Sequence, residues 1–176
     1  MSGNSEKPDG MTEAADLREA LLDQLAFLID EIEALKAVVD RVPTSLLEAR
    51  PPNNEPSLKQ IYGLLATLDE AVYLPRLQHM TAEDEPVFDP VDEAALAEQA
   101  GWNDQPIDRI LDRVQDARRA LLAFLRALPP EAWRRTARFG EQRRDVYGLA
   151  HHVTQHDVDL LRTVGYRLHE SNLLTK

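Results

Sequence analysis

Four segments of this chain carry leucine, isoleucine and valine at intervals of three and four residues, with Asp, Glu, Arg and Lys between them. That spacing follows the period of an α-helix, about 3.6 residues, and gives each segment one apolar stripe that must be buried. The first stripe, Leu17, Leu21, Leu25, Leu28, Ile32, Leu35 and Val39, predicts a long amphipathic helix over 12–41. The stretch VPTSLLEARPPNNEPS then places four prolines within sixteen residues, which ends that helix and makes a stiff connection. Ser57 can cap the next segment, where Leu58, Ile61, Leu65, Leu68 and Val72 predict a helix over 58–79 that Pro75 kinks.

The segment 82–105, AEDEPVFDPVDEAALAEQAGWNDQ, is acidic and punctuated by prolines, with one short helical turn over 93–99. It is long enough to cross from one end of a bundle to the other. Pro106 opens a third long helix, whose apolar face carries Ile107, Ile110, Leu111, Val114, Ala117, Leu121, Leu122 and Leu125. LPPEAWRRTARFGEQR ends it. A fourth helix begins near Arg143 or Asp145 and reaches about His169, with Val146, Leu149, Val153, His156, Leu160 and Val164 on one line. These elements predict an all-α four-helix bundle with a crossover between helices 2 and 3 and negligible strand. Residues 11–176 form its single domain, and 1–10, MSGNSEKPDG, read as a disordered polar tail.

At 176 residues the chain can bury a substantial core without staples. Lys and Arg number 20 against 31 Asp and Glu, a net charge of -11, so the surface field repels phosphate backbones and anionic headgroups. Nucleic acid and membrane are therefore not expected partners. The absence of cysteine removes disulfides, thiolate ligands and a nucleophilic thiol together. No apolar run reaches the roughly 18 residues of a membrane span, and the polar start lacks a secretory signal, so a soluble cytoplasmic protein is expected.

The chemistry-bearing stretch is AHHVTQHDVDLL, Ala150–Leu161. His152 and His156 stand four apart, which puts both rings on one helical face at about 6 Å between Cβ atoms and suits shared coordination of zinc, nickel or copper. The plainer reading makes His156 a buried histidine with a polar partner and leaves His151 and His152 on the flank. Asp157 and Asp159 fall on other faces and are expected to be solvated or paired with arginines such as Arg162; Glu70 is expected to be exposed. Trp102 and Trp133 are expected as packing lids at the ends of the bundle. PEAWRRTARFGEQRR holds five arginines, a basic spot that can clamp a carboxylate or phosphate or balance nearby acids. Tyr62, Tyr73, Tyr147 and Tyr166 can each bring a hydroxyl to a pocket, and nothing in the sequence selects among them. No glycine-rich phosphate loop or nucleophile elbow competes.

The segments PSLKQIYGLLATLDEAVYLPRL, DEPVFDPVDE, ALLAFLRALPPEAWRRTA and GLAHHVTQHDVDLLRTV resemble successive signatures of the DinB-like superfamily, in its YfiT-like hydrolase branch, over nearly all of 25–164. The resemblance implies an up-down-down-up bundle, commonly dimeric, with a divalent metal such as nickel or zinc held by three histidines. One comes from the second helix and two, four apart, from the fourth. It places these ligands at Leu65, His156 and Leu160, so two of the three are replaced and the site is degenerate. Measured from those positions, one turn forward from Leu65 reaches Asp69 and one turn back from Leu160 reaches His152. Because helices 2 and 4 are antiparallel in the family topology, both shifts run the same way along the bundle, and Asp69, His152 and His156 would make a displaced two-histidine, one-carboxylate metal set.

The leading expectation is thus a DinB/YfiT-like protein with a degenerate metal site that is neither a standard metal-dependent hydrolase nor a standard thiol transferase. The alternatives are a hydrolase or transferase using the displaced Asp69, His152 and His156 site, or a metal-free homodimer holding a small ligand in its inter-helix pocket.

Overall fold

The computed structural model of the chain describes residues 9–99 and 101–174. Seven helices occur in chain order: α1 (Asp9–Lys36), α2 (Thr44–Glu48), α3 (Leu58–Thr67), α4 (Leu74–Ala82), α5 (Glu93–Gln99), α6 (Ile107–Arg126) and α7 (Val146–Leu174). Of the tail expected over 1–10, residues 1–8 lie outside the described residues, and α1 already begins at Asp9. A single wide π-helical turn, Leu68–Tyr73, joins α3 to α4, so the second long helix runs continuously from Leu58 to Ala82. Four long helical rods, α1, α3 with α4, α6 and α7, make the four-helix bundle.

Local chemistry accounts for the element ends. The Ser57 hydroxyl accepts from the Gln60 backbone N–H at 3.1 Å, and the Gln60 side chain accepts from the Ser57 N–H at 2.8 Å, a capping box that starts α3. Pro75, expected to kink the helix, is accommodated by the wide turn in front of it, where the Leu74 N–H reaches back to the Asp69 carbonyl. A proline ring crowds the carbonyl four residues earlier, and a widened turn relieves that crowding without breaking the rod.

The chain also forms a small three-stranded sheet that the helical stripes do not announce: β1 (Val87–Phe88), β2 (Thr136–Phe139) and β3 (Gln142–Asp145). β2 and β3 are an antiparallel hairpin with Phe139 opposite Gln142; Gly140, at φ 60°, supplies the left-handed loop position that such a tight turn requires. β1, from the crossover, pairs parallel with β2. The sheet ties the chain that leaves α4 to the chain that leaves α6 and enters α7. Helices 2 and 3 therefore run down towards the sheet, and α7 runs up from it. α1 sets Ala15, Arg18 and Leu22 beside Leu125 and Trp133, so it also runs up from that end, giving the up-down-down-up order.

Two apolar clusters fill the bundle. The one nearer the sheet includes Leu21, Leu25, Leu68, Leu121, Trp133, Leu149 and Val153; the other includes Leu28, Ile32, Leu65, Trp102, Leu111, Val114 and Val164. Both tryptophans are buried as packing residues, at 1% and 4% exposure for Trp102 and Trp133. Trp102 lies flat against α3 at Gly63, where an added Cβ would fall 2.1 Å from the indole ring. Gly63→Ala should therefore destabilise the protein by about 1–3 kcal/mol in urea unfolding, as overpacking does, although alanine is the better helix former. A variant as stable as the parent would show that the indole yields freely.

Candidate functional site

Arg118 leaves α6 on its apolar stripe, between Val114 and Leu121, and its side chain is 0% exposed. Its Nε and Nη2 donate to the Asp69 carboxylate at 2.7 and 3.2 Å, and its Nη1 and Nη2 donate to the Asp157 carboxylate at 2.6 and 3.0 Å. Nη1 also donates to the Leu25 carbonyl at 3.2 Å. One guanidinium thus joins α1, the wide turn of the second rod, α6 and α7. Burial by itself would lower the Arg118 pKa, but the two carboxylates outweigh it and hold the guanidinium above its ordinary value. Burial pushes the Asp69 carboxyl up to about 6, against the pull of Arg118.

This arrangement decides where the sequence-derived candidates stand. His152 and His156 come together on α7, with ring centroids 6.2 Å apart. Asp69 does not join them, because both its oxygens are given to Arg118. Among the described residues no group of three His, Cys, Asp or Glu side chains is placed to hold a metal ion. A divalent ion on the Asp69 oxygens would stand against the guanidinium already there, so the displaced donor set does not fit a metal. Leu65 and Leu160 lie in apolar packing, Leu65 fully buried and Leu160 half-buried between the two clusters. Asp157, expected to be solvated or paired with an arginine, is paired, but as a buried partner of Arg118; Asp159 is the one that meets Arg162, at 3.2 Å. Glu70 is exposed, as expected, and pairs with Arg113 at 2.7 Å.

His156 has the polar partner that the plainer reading gave it, although the sequence did not single out which. Its Nε2 lies 3.0 Å from a carboxylate oxygen of Glu93, at the start of α5, and its Nδ1 is buried without a partner among the described residues. The hydrogen bond to Glu93 raises the His156 pKa. His152 is half-buried with its ring edge-on to Tyr73, 6.4 Å between centroids. Its pKa is lowered, first by burial and then by the charge of Arg144. Beside it a cavity of about 140 Å³ opens between the wide turn, the sheet and the first turns of α7, reached by Tyr73, Arg76, Glu93, Phe139, Arg144 and His152.

The model of the DinB superfamily matches residues 28–164. The chain belongs to the DinB superfamily. Among solved structures it is similar to YfiT from Bacillus subtilis, described as a probable metal-dependent hydrolase with an unusual four-helix bundle topology, with a TM-score of 0.65 and 18% identity over 94% of each chain. That likeness is one of fold. No curated protein matches the chain.

Two outcomes follow from the geometry of this DinB-superfamily bundle. Arg118→Met strands two buried carboxylates and should cost about 3–5 kcal/mol in urea unfolding, with part of the loss restored when Asp69→Asn and Asp157→Asn are added. A single variant within about 0.5 kcal/mol of the parent would contradict the central role of the guanidinium. The second outcome concerns His156, whose folded pKa is raised above 6.5. Its stabilising contribution is complete below the unfolded value and is lost as pH rises through the folded one. His152, with its lowered pKa, acts in the opposite sense, so the test is a difference: between about pH 6 and about pH 8 the urea midpoint of the parent should fall relative to that of Glu93→Gln. An unchanged slope in the variant would remove Glu93 as its cause.

Proposed function

We propose that this bundle works as a metal-independent binding protein for a small ligand taken up between its helices, and that the metal centre associated with its resemblance to the YfiT-like branch has given way to an internal organic cation. The observation that carries this reading is the Arg118 layer. A buried guanidinium already neutralises the inward carboxylates Asp69 and Asp157, with five short polar contacts to three helical partners. In that place a metal would have to displace a cation whose charge and hydrogen bonds are satisfied.

Further support comes from the donors around His156. Leu65 and Leu160, at the positions where the family resemblance calls for histidine, supply only hydrocarbon, and a single imidazole does not hold a divalent ion firmly. Glu93 spends its carboxylate on His156. The cavity beside His152 is open to a ligand, and Leu68, Val72 and Leu149 line it together with a few convergent polar groups.

Metal analysis tests the reading directly. Protein purified without chelator or nickel affinity resin should carry zinc and nickel well below one equivalent, and added zinc or nickel should leave the melting temperature unchanged, because only a ligand that prefers the folded state raises it. A stoichiometric metal that is lost in His156→Ala or His152→Ala would overturn it in favour of metal-dependent chemistry.

A further inference from the structure

We propose that the cavity between the wide turn, the sheet and α7 binds a small organic carboxylate, with Arg76 and Arg144 on its charged end and Leu68, Val72 and Leu149 against its hydrocarbon part. The inference rests on the metal-independent reading only in that the chain's own side chains hold the ligand.

Charge is the first ground. In a chain of net charge -11, several basic side chains meet a carboxylate: Lys59 meets Glu48, Arg113 meets Glu70, Arg143 meets Glu85 and Arg167 meets Glu55. Arg76 and Arg144 reach the same cavity, and among the described residues neither is in an ion pair. Both are held ready. Arg76 donates to the Asp89 carbonyl, and its guanidinium carbon lies 5.3 Å from the Phe88 ring centroid and 5.5 Å from that of Phe139. The Arg144 guanidinium carbon lies 5.8 Å from the same Phe139 ring, and its Nη2 donates to the Gln142 side chain at 2.7 Å. Two like charges gathered on one aromatic ring repel each other, and an anion placed between them removes that repulsion and gains a charge-assisted hydrogen bond from each. Their field reaches the cavity's imidazole, since both guanidiniums act to lower the pKa of His152.

Tyr73 is the second and independent ground. It is 5% exposed and lines the cavity, yet no hydrogen bond engages its hydroxyl among the described residues. The hydroxyl is not among the buried atoms without a partner, so it opens on the cavity, where an incoming oxygen can reach it. Burial pushes its pKa up, so the group stays a proton donor, and a ligand oxygen in the cavity is the acceptor that would complete it. Glu93 is the one acid in the lining; its carboxylate is engaged by His156, and the two guanidiniums outnumber it there.

Size and polarity narrow the ligand. A volume of about 140 Å³ is close to the roughly 150 Å³ known to accept a benzene ring, which suits an acid the size of butyrate or benzoate. Leu68, Val72 and Leu149 favour a carboxylate on a hydrocarbon over a bare inorganic anion, although the guanidiniums would attract either.

The test is calorimetric titration and thermal melting of the whole chain with sodium butyrate, sodium benzoate and sodium sulfate, in excess EDTA at constant ionic strength. At least one of the two acids should bind saturably and raise the melting temperature, and sulfate should not reproduce it. Arg144→Gln and Arg76→Gln should each weaken binding about tenfold or more, as the loss of a charged hydrogen bond does, and Tyr73→Phe should weaken it by a smaller factor. Circular dichroism and ligand-free melting establish that each variant is folded; should Arg76→Gln fail, Arg144→Gln, a half-exposed residue at the end of the hairpin, decides. Absence of saturable binding by either acid, with or without added zinc or nickel, overturns this site and leaves the metal-independent reading intact. So does unchanged affinity in Arg144→Gln, or an equal response to sulfate. Acid binding that appears only on adding zinc or nickel overturns the metal-independent reading instead.

Discussion

All four rods of the bundle meet at the Arg118 guanidinium. It takes a backbone carbonyl from α1, a carboxylate from the wide turn of the second rod and a carboxylate from α7, and it is itself carried by α6. Taking a charge of either sign out of water costs several kcal/mol, and the cost is offset only when geometry and hydrogen bonding are complete. The layer meets that demand because each carboxylate receives two donors from one planar fork. It also fixes register. A rod shifted by a turn would leave a charge in hydrocarbon, whereas leucine stripes alone tolerate several such shifts.

The polar layer also explains the division of the core. Leu25 and Leu28, Leu65 and Leu68, Val114 and Leu121, and Val153 and Val164 each fall on opposite sides of it, so the apolar interior is two clusters rather than one. The half towards the sheet holds the open cavity. There the wide turn before Pro75, the hairpin and the crossover converge, and three kinds of backbone meet where four regular helices would otherwise close over one another. The irregularities that a proline and a hairpin impose leave room beside His152 at that end, while in the far half Trp102 packs tightly on Gly63.

Most of the architecture was legible because the helical stripes are long and uninterrupted. The four rods, the Ser57 cap and the short helix Glu93–Gln99 all follow from apolar spacing and end signals that act within a few residues. The hairpin was less legible. Its strands are four residues long and rich in arginine, and β1 contributes only two residues from a distant part of the chain, so periodicity had nothing to register. At the site, His152 and His156 were correctly paired by helical spacing, but which carboxylate each helix presents to them depends on rotations between helices. A readable signal was present in Arg118, Asp69 and Asp157. Each sits where its own stripe predicts a buried residue, and an arginine and two aspartates at inward positions of three helices are complementary in charge. Asp157 was assigned outward by comparison with its neighbour His156, yet it follows Val153 by one turn and shares that inward face.

Two positive centres therefore lie within an acidic molecule, and their difference bears on function. Arg118 is saturated: its guanidinium makes five hydrogen bonds, it is closed to solvent, and it serves to hold helices together. Arg76 and Arg144 are oriented by rings, a carbonyl and an amide, and among the described residues neither is in an ion pair, although the charge of Asp89 acts on Arg76 and Glu93 shares the lining. What sets these two cations apart is that both reach one cavity on one aromatic ring, where an anion from outside can meet both at once.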